Sequence, residues 1–340
     1  MKFTLVSTIY NEARRLSESL DDLSKQTVYP DEIIIVDAGS NDGSVDILKQ
    51  WALTMPCKVD VIVEPKCNVA RGRNIAIEKA SNELIVSTDF GCRFHANWLA
   101  SLVEPFSDSK VKAVAGAFAV IEDDIVTMPA KSAYLLFDGY EDDITQDWFT
   151  PSSRSVAYYK EVFQLVGGYP EWLTLAADDT VFGRLVKKKG VTFYPVTKPY
   201  VYWGRHSTAL AYAKESFRYG LGDGEARINE RSTVAKSIEL LLRINFILGG
   251  LLSLILIFSL DVSPYIGLLL LPALRGFKPY WYHFLVWKKR KSSKYNMMVF
   301  LYSFYLLEKT RWYYLKGYKQ GRFNSPEYRN VKAKELTEIL

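Results

Sequence analysis

The sequence predicts an α/β protein: a mostly parallel sheet with helices on both faces, followed by a C-terminal helical region of membrane character. Three observations carry that reading. Short apolar runs alternate with helix-period segments through residues 1–120, the pattern of strands joined by helical crossovers. The run EIIIVD at Glu32–Asp37 is apolar without alternation, as in a strand buried on both faces. The last third of the chain holds long uncharged apolar stretches beside clusters of Lys and Arg.

The elements follow in order. Residues 2–9 form a compact β-type run, and 13–26 place Leu16, Leu20 and Leu23 at helical spacing. After Glu32–Asp37 comes AGSNDGS at 38–44, dense in turn formers and small caps, then a helix carrying Val45, Leu48, Trp51 and Ala52. Residues 59–64 read as a strand, 73–80 as a helix, and 84–88 as a strand ending at Asp89. Residues 98–106 read as helical and 111–120 as a strand. The stretch 130–151 is rich in acids and aromatics and gives no clear type. Residues 155–159 read as a strand and 160–166 as a helix closed by Gly167-Gly168. Asp178-Asp179 open a helix to residue 189, and 192–196 and 201–203 read as short strands.

The C-terminal third changes character. Residues 212–222 mix aromatics with Lys214 and Arg218, as an in-plane membrane helix or an ordinary amphipathic surface helix would. Residues 244–260 form an uncharged apolar run of about 17, the lower limit for a spanning helix. A return arm over 264–287 and the cluster KKRK at 288–291 suggest a hairpin with its basic end inside. Arg275 opposes a simple second crossing, since a charge near a helix centre costs roughly 2.5–3.5 kcal/mol even on a lenient scale. A third apolar patch is 297–307.

Composition narrows the classes. The chain has 340 residues, 49% hydrophobic and 24% charged, with a net charge of +5. That excludes intrinsic disorder, and 20 Gly, 13 Pro and 3 Cys exclude a collagen-like or disulfide-stapled chain. Cys57, Cys67 and Cys92 lack CxxC spacing, and with only His95, His206 and His283 no zinc site is suggested. The start MKFTLVSTIYNE is not a signal peptide, so the N-terminal domain is expected in the cytoplasm. The basic residues flank apolar segments rather than an aromatic-studded groove, which points to an anionic membrane surface and away from nucleic acid.

Three strands end in polar groups: Thr8 to Glu12, Asp37, and Asp89. Parallel α/β sheets bind ligands beyond the carboxyl ends of their strands. A carboxylate at Asp37 suits a base or ribose; an ordinary βα loop is the plainer alternative. There is no GxGxxG and no GxxxxGK[ST], so a dinucleotide or P-loop site is disfavoured. Asp89 could hold Mg²⁺ or Mn²⁺ with the phosphate oxygens of a nucleotide, or simply cap a helix. Of Asp178 and Asp179, helix capping explains one acid and leaves the other for general-base work.

Six segments in order resemble family 2 glycosyltransferases: YNE at 10–12, VDAGSNDGS at 36–44, ARGRNIAI at 70–77, TDFG at 88–91, GGYPEW at 167–172 and ADDTVFGRL at 177–185. The resemblance covers residues 1–225, and FRYGLGDGEA at 217–226 resembles membrane-associated exopolysaccharide-type members. It implies a GT-A fold, with a Rossmann-like nucleotide-binding half at 1–120 and an acceptor half at 121–225 that includes the amphipathic helix. Residues 226–340 would then be a membrane-associated helical region with a hairpin at 244–287 and a basic tail.

The resemblance also implies roles. Thr8, Tyr10, Glu12 and Asp37 would bind the nucleoside. Arg71 and Arg73 would lie near the diphosphate. Asp89 matches the first acid of the family's DxD metal motif, but the second position is Gly91. Asp179 matches the catalytic base, and Asp178 replaces the Glu before it. WGRHS at 203–207 stands where processive members carry QxxRW; there Arg205 would stabilise the departing diphosphate and His206 would ligate metal, each with a structural alternative. The implied reaction is inverting transfer of a hexose from a nucleotide-diphosphate sugar, with Mg or Mn, to a lipid-linked saccharide in polysaccharide synthesis. It would occur at the plasma (inner) membrane on the cytoplasmic side. The alternatives are a polyprenyl-phosphate acceptor and a non-catalytic nucleotide-sugar-binding membrane protein.

Overall fold

The computed structural model describes residues 1–138, 144–146, 149–260 and 264–340. The untyped stretch 130–151 therefore lies partly outside the described residues. The chain forms two compact units. One comprises Met1–Ile125, Asp138–His206 and Asn324–Leu340; the other comprises Val126–Phe137 and Ser207–Phe323.

The first unit begins β1 (Phe3–Ile9), α1 (Ala13–Leu23), β2 (Glu32–Asp37), α2 (Ser44–Ala52), β3 (Lys58–Val63), α3 (Val69–Lys79), β4 (Leu84–Asp89), β5 (Cys92–Phe94), α4 (Trp98–Val103) and β6 (Ala113–Val120). The helix α5 (Met128–Ala133) belongs to the second unit. The first resumes with β7 (Val156–Tyr159), α6 (Lys160–Val166), α7 (Asp178–Lys188) and β8 (Phe193–Trp203), and ends with α12 (Glu327–Ile339).

Eight strands form one sheet in the order β3-β2-β1-β4-β7-β6-β8-β5. β1 pairs in parallel with both β2 and β4, β2 with β3, and β6 with β8; the pairings β4–β7, β6–β7 and β5–β8 are antiparallel. The sheet is thus mostly parallel, as expected, with an antiparallel strand inserted at β7. Side chains alternate between two cores. Phe3, Leu5, Ile33 and Ile35 face Leu16 and Leu20 of α1 and Trp98 of α4. Val6, Ile34 and Val36 face Ile77 of α3 and Phe182 of α7. Full burial of each such side chain is worth roughly 1.5–3 kcal/mol.

The topology fixes where a ligand goes. From β1 the chain steps to β2 and β3 on one side, then returns to place β4 on the other. In register, Ile9 of β1 lies opposite Asp37, and Thr8 lies opposite Asp89. The two acids flank the carboxyl end of the central strand at the switch point, where such sheets open a crevice.

The second unit is helical: α5, α8 (Ala209–Ala226), α9 (Glu230–Leu260), a 3₁₀ segment (Pro264–Phe277), α10 (Lys278–Arg290) and α11 (Met297–Phe323). α8 is two-faced: Leu210, Lys214, Arg218 and Tyr219 are exposed. Tyr212, Ala213, Gly220 and Gly224 are buried, and it packs backbone to backbone on α11. A Cβ on Gly220 would lie 2.1 Å from Tyr314 O, on Gly224 2.3 Å from Tyr318 O, on Gly317 2.2 Å from Phe217 O and on Gly321 2.2 Å from Leu221 O. Two four-residue glycine spacings therefore face each other, a device that brings helices unusually close.

Among the described residues one helix, Glu230–Ser259, is long and apolar enough to cross a membrane, and almost none of its apolar window is buried. The expected return arm is instead a 14-residue 3₁₀ segment followed by a 13-residue α-helix. Pro272 inside the segment removes a backbone donor that an α-helix would need. The segment still packs along α9: Gly276 meets Glu239 O and Leu242, and Arg243 donates to Gly276 O at 2.6 Å and to Glu308 at 3.0 Å.

Candidate active site

The loops at the carboxyl ends of β1 and β2 are sewn together. Asn11 N–H donates to Ser40 Oγ at 2.8 Å, Glu12 N–H to Ser44 Oγ at 3.1 Å, and Ala13 N–H to Asp42 Oδ2 at 2.9 Å. Asp37 is fully buried; its Oδ2 accepts from Gly39 and Ser40 N–H, both at 2.8 Å. Its Oδ1 is buried without a partner, a cost of roughly 1–3 kcal/mol unless a ligand supplies a donor. Gly39 permits this turn, at φ +91 with Pro65 close behind it.

A cavity of about 670 Å³ opens here, lined by Thr8 near the end of β1, Tyr10 and Glu12 from the loop that follows, Ala38 and Gly39 from the second loop, and Arg73 and Asp89. Tyr10 is 60% exposed. Burial is the main influence on Glu12 and pushes its carboxyl up, with Asp42 and Asp89 adding to the effect and Arg15 opposing it.

Arg73 joins the cavity to α7. It extends from α3, is 4% exposed, and donates to Asp89 Oδ1 at 2.6 Å and to Asp178 Oδ2. Its guanidinium also lies 5.5 Å from the centre of the Tyr169 ring. Burial alone would raise the Asp89 carboxyl; Arg73 and Arg154 outweigh it and hold the group below its usual value. At Asp178 burial, helped by Asp179 and Asp89, outweighs Arg73 and pushes the carboxyl up to about 6. Ala177, at φ +71, turns the chain so that the two acids open α7. Asp178 is buried; Asp179 is half-buried, and its Oδ1 accepts from Thr180 N–H at 2.7 Å.

Residues 4–165 match the family model described as glycosyl transferase family 2. That segment, a little under half of the chain, is a glycosyl transferase family 2 domain. A curated relative, an uncharacterized glycosyltransferase of Nostoc sp., is 28% identical over 171 residues, 49% of this chain and 53% of its own. The O-antigen chain rhamnosyltransferase RfbN of Salmonella typhimurium is 25% identical over 211 residues, 55% of this chain and 62% of its own. The matched span is thus under two thirds of either relative. A mannosyltransferase from Pyrobaculum calidifontis, solved with GDP-Man and Mn²⁺, superposes with a TM-score of 0.53 at 18% identity, covering 96% of this chain and 88% of that one. That likeness is one of fold, the GT-A fold.

Thr8, Tyr10, Glu12, Arg73 and Asp89 line one cavity, and Asp37 lies between two of its lining residues, Val36 and Ala38. Asp178 is tied to that group by Arg73, with Asp179 beside it. Arg71 points elsewhere, 3.7 Å from Glu64 and 3.5 Å from Glu171. Arg205 lays its guanidinium 4.0 Å from the Trp203 ring, and its N–H donates to Asp124 at 2.6 Å. Neither it nor His206 lines the cavity, and among the described residues no three His, Cys, Asp or Glu side chains gather as a metal site. Sequence reasoning did not single out Lys66, which is exposed on the cavity wall, or Arg154, which stacks 4.1 Å from Trp203 and acts on Asp89. Lys66 sits at φ +65, a turn position that its side-chain type does not announce; Arg154 falls between the untyped stretch and the strand read over 155–159.

Proposed function

We propose that this glycosyltransferase moves a hexose, with inversion, from a nucleotide-diphosphate sugar to a hydroxyl of a lipid-linked saccharide at a membrane. The observation that carries the proposal is the Arg73 bridge. It makes one constellation of the switch-point acid Asp89, at the donor cavity, and the acids that open α7.

The residues fit a divalent metal. Asp89 Oδ1 is taken by Arg73, and its Oδ2 accepts no hydrogen bond among the described residues, on a side chain 32% exposed. Mg²⁺ or Mn²⁺ is commonly held by one or two carboxylates plus substrate phosphate oxygens. Bound there, the ion would spread the charge of the departing nucleoside diphosphate. The orphaned Oδ1 of Asp37 supports its assignment to the nucleoside base. Arg73 holds Asp178 and Asp89 in place. Asp179, less buried and not bound by Arg73, takes the proton from the acceptor hydroxyl as it attacks the anomeric carbon. A placed base typically contributes about 10²–10⁴-fold.

The membrane reading rests on α9, whose Leu248, Leu251, Ile255 and Phe258 are between 56% and 83% exposed. It also rests on Lys288, Lys289 and Arg290 in the last turn of α10, suited to anionic headgroups on the cytoplasmic side. The polysaccharide class draws support from the Salmonella relative's name. The test is a thermal-shift screen of the full chain with Mn²⁺ and UDP-, GDP- and dTDP-sugars. A selective donor should stabilise by about 2.7 kcal/mol at 100-fold saturation. No shift with any nucleotide sugar would remove the donor site.

A further inference from the structure

Gly91 stands where the family's DxD motif has its second acid, and the backbone shows what replaces it. Gly91 has φ +88, and a Cβ built on it would lie 3.1 Å from Glu12 Oε2. The Glu12 carboxylate thus fills the space from which a side chain at 91 would start. The arrangement is fixed. Gly91 N–H donates to Ser19 Oγ at 3.1 Å, and Ser19 Oγ donates to Cys92 O at 2.6 Å. Ser19 belongs to α1, and Glu12 is the cap residue of the same helix. One helix therefore carries both the anchor of the β4–β5 turn and the carboxylate over it.

Glu12 and Asp89 line the same cavity. Neither the Glu12 carboxylate nor Asp89 Oδ2 takes a hydrogen bond or an ion pair among the described residues. Two hard anionic oxygens are thus presented to the space where the donor diphosphate belongs. We propose that Glu12, acting from β1's loop through space, is the second metal-ligating carboxylate of this enzyme and pairs with Asp89 to hold the divalent cation. This rests on the donor-site reading above and assigns Glu12 to the metal rather than to the nucleoside. The cation's remaining positions fall to donor phosphate oxygens and water. Because Arg73 already sits on Asp89, bare metal is disfavoured. Metal and nucleoside diphosphate should strengthen each other by the same factor.

The experiment is Mn²⁺ titration of the full chain by electron paramagnetic resonance, with and without UDP and GDP. Nucleotide affinity in EDTA is measured in parallel. Glu12→Gln should weaken Mn²⁺ binding at least about tenfold, no less than the loss of an outer-shell partner. Its nucleotide affinity in EDTA should stay within about twofold of wild type, a change of under half a decade. Gly91→Asp should not restore Mn²⁺ binding to Glu12→Gln, because position 91 is held at positive φ. An unchanged unfolding midpoint certifies the fold of Glu12→Gln. Mn²⁺ affinity unchanged in Glu12→Gln overturns the assignment, and so does an equal loss of nucleotide affinity in EDTA, which marks a nucleoside contact. A wild-type chain that binds no nucleoside diphosphate overturns the donor-site reading instead.

Discussion

Replacing Arg73 by Met tests the core of the site without touching a reacting group. Met keeps most of the apolar stem and removes the guanidinium. Asp178, 8% exposed, and Asp89, 32% exposed, then lose their shared counter-charge. Removing one partner of a buried pair typically costs about 3–5 kcal/mol, because the other charge stays buried. Asp89 is partly solvated, so most of that cost belongs to Asp178.

The cost should depend on pH, with a definite sign. Asp178 titrates at about 6 in the folded protein, above the ~3.9 of an unfolded Asp. Its protonation therefore favours the fold, and that contribution is lost as pH rises through 6. Arg73 is the group pulling this value down, so Arg73→Met should raise it further. The gap between wild type and variant should then be widest at pH 7–8 and shrink toward pH 5, at most about 1.4 kcal/mol per pH unit. In the wild type Asp89 is held below its usual value and adds nothing to the slope in that window; in the variant it loses Arg73 too, and any rise of its carboxyl widens the gap in the same direction. Urea unfolding of the full chain at several pH values reads this out. A destabilisation under about 1 kcal/mol at pH 7 would refute the bridge, and one equal at pH 5 and 8 would refute the role of Asp178. Arg73→Lys keeps the charge but not the fork that reaches both acids, and should fall between.

Other outcomes follow from the same geometry. Asp179→Asn should lower transfer by about 10²–10⁴-fold while nucleotide binding persists; full turnover would instead fit a polyprenyl-phosphate acceptor, whose nucleophile needs no base. Asp37→Ala removes the acceptor for Gly39 and Ser40 N–H. It should cost roughly 1–3 kcal/mol in stability and weaken nucleotide binding measured by calorimetry. Gly321→Val drives a side chain into Leu221 O. Overpacking of about 1–3 kcal/mol or more should appear as a lower unfolding midpoint of the helical unit, and an unchanged midpoint would mean the two helices sit further apart.

Much of the sheet was legible because burial on both faces leaves an unbroken apolar run. EIIIVD is fully buried along its length, and its pattern said so. What failed to show were elements whose stability comes from neighbours. β5 is three residues, Cys92–Phe94, formed by pairing with β8. β8 runs unbroken from Phe193 to Trp203 although Pro195, Lys198 and Pro199 interrupt its sequence, because strands flank it on both sides. α8 has the two faces its sequence implies, but its glycines count as neither polar nor apolar, so their use, to admit another backbone, did not show.

The site divides along the same line. Residues at strand ends, Thr8, Asp37 and Asp89, were found because topology alone puts them at the crevice. Arg73 was placed near the donor diphosphate on the family resemblance alone. Its partners lie 16 and 105 residues along the chain, and no spacing reports that. The consequence reaches the chemistry. Arg73 is shared by two of the protein's own acids and Arg71 lies between Glu64 and Glu171. Among the described residues lining the cavity, that leaves the exposed Lys66 as the one cation not already bound to a protein carboxylate. A single lysine is little charge against a departing nucleoside diphosphate. On the proposed function the missing positive charge arrives with the donor as a divalent cation, which would make the carboxylates at the switch point, rather than the arginines behind it, the residues on which leaving-group stabilisation depends.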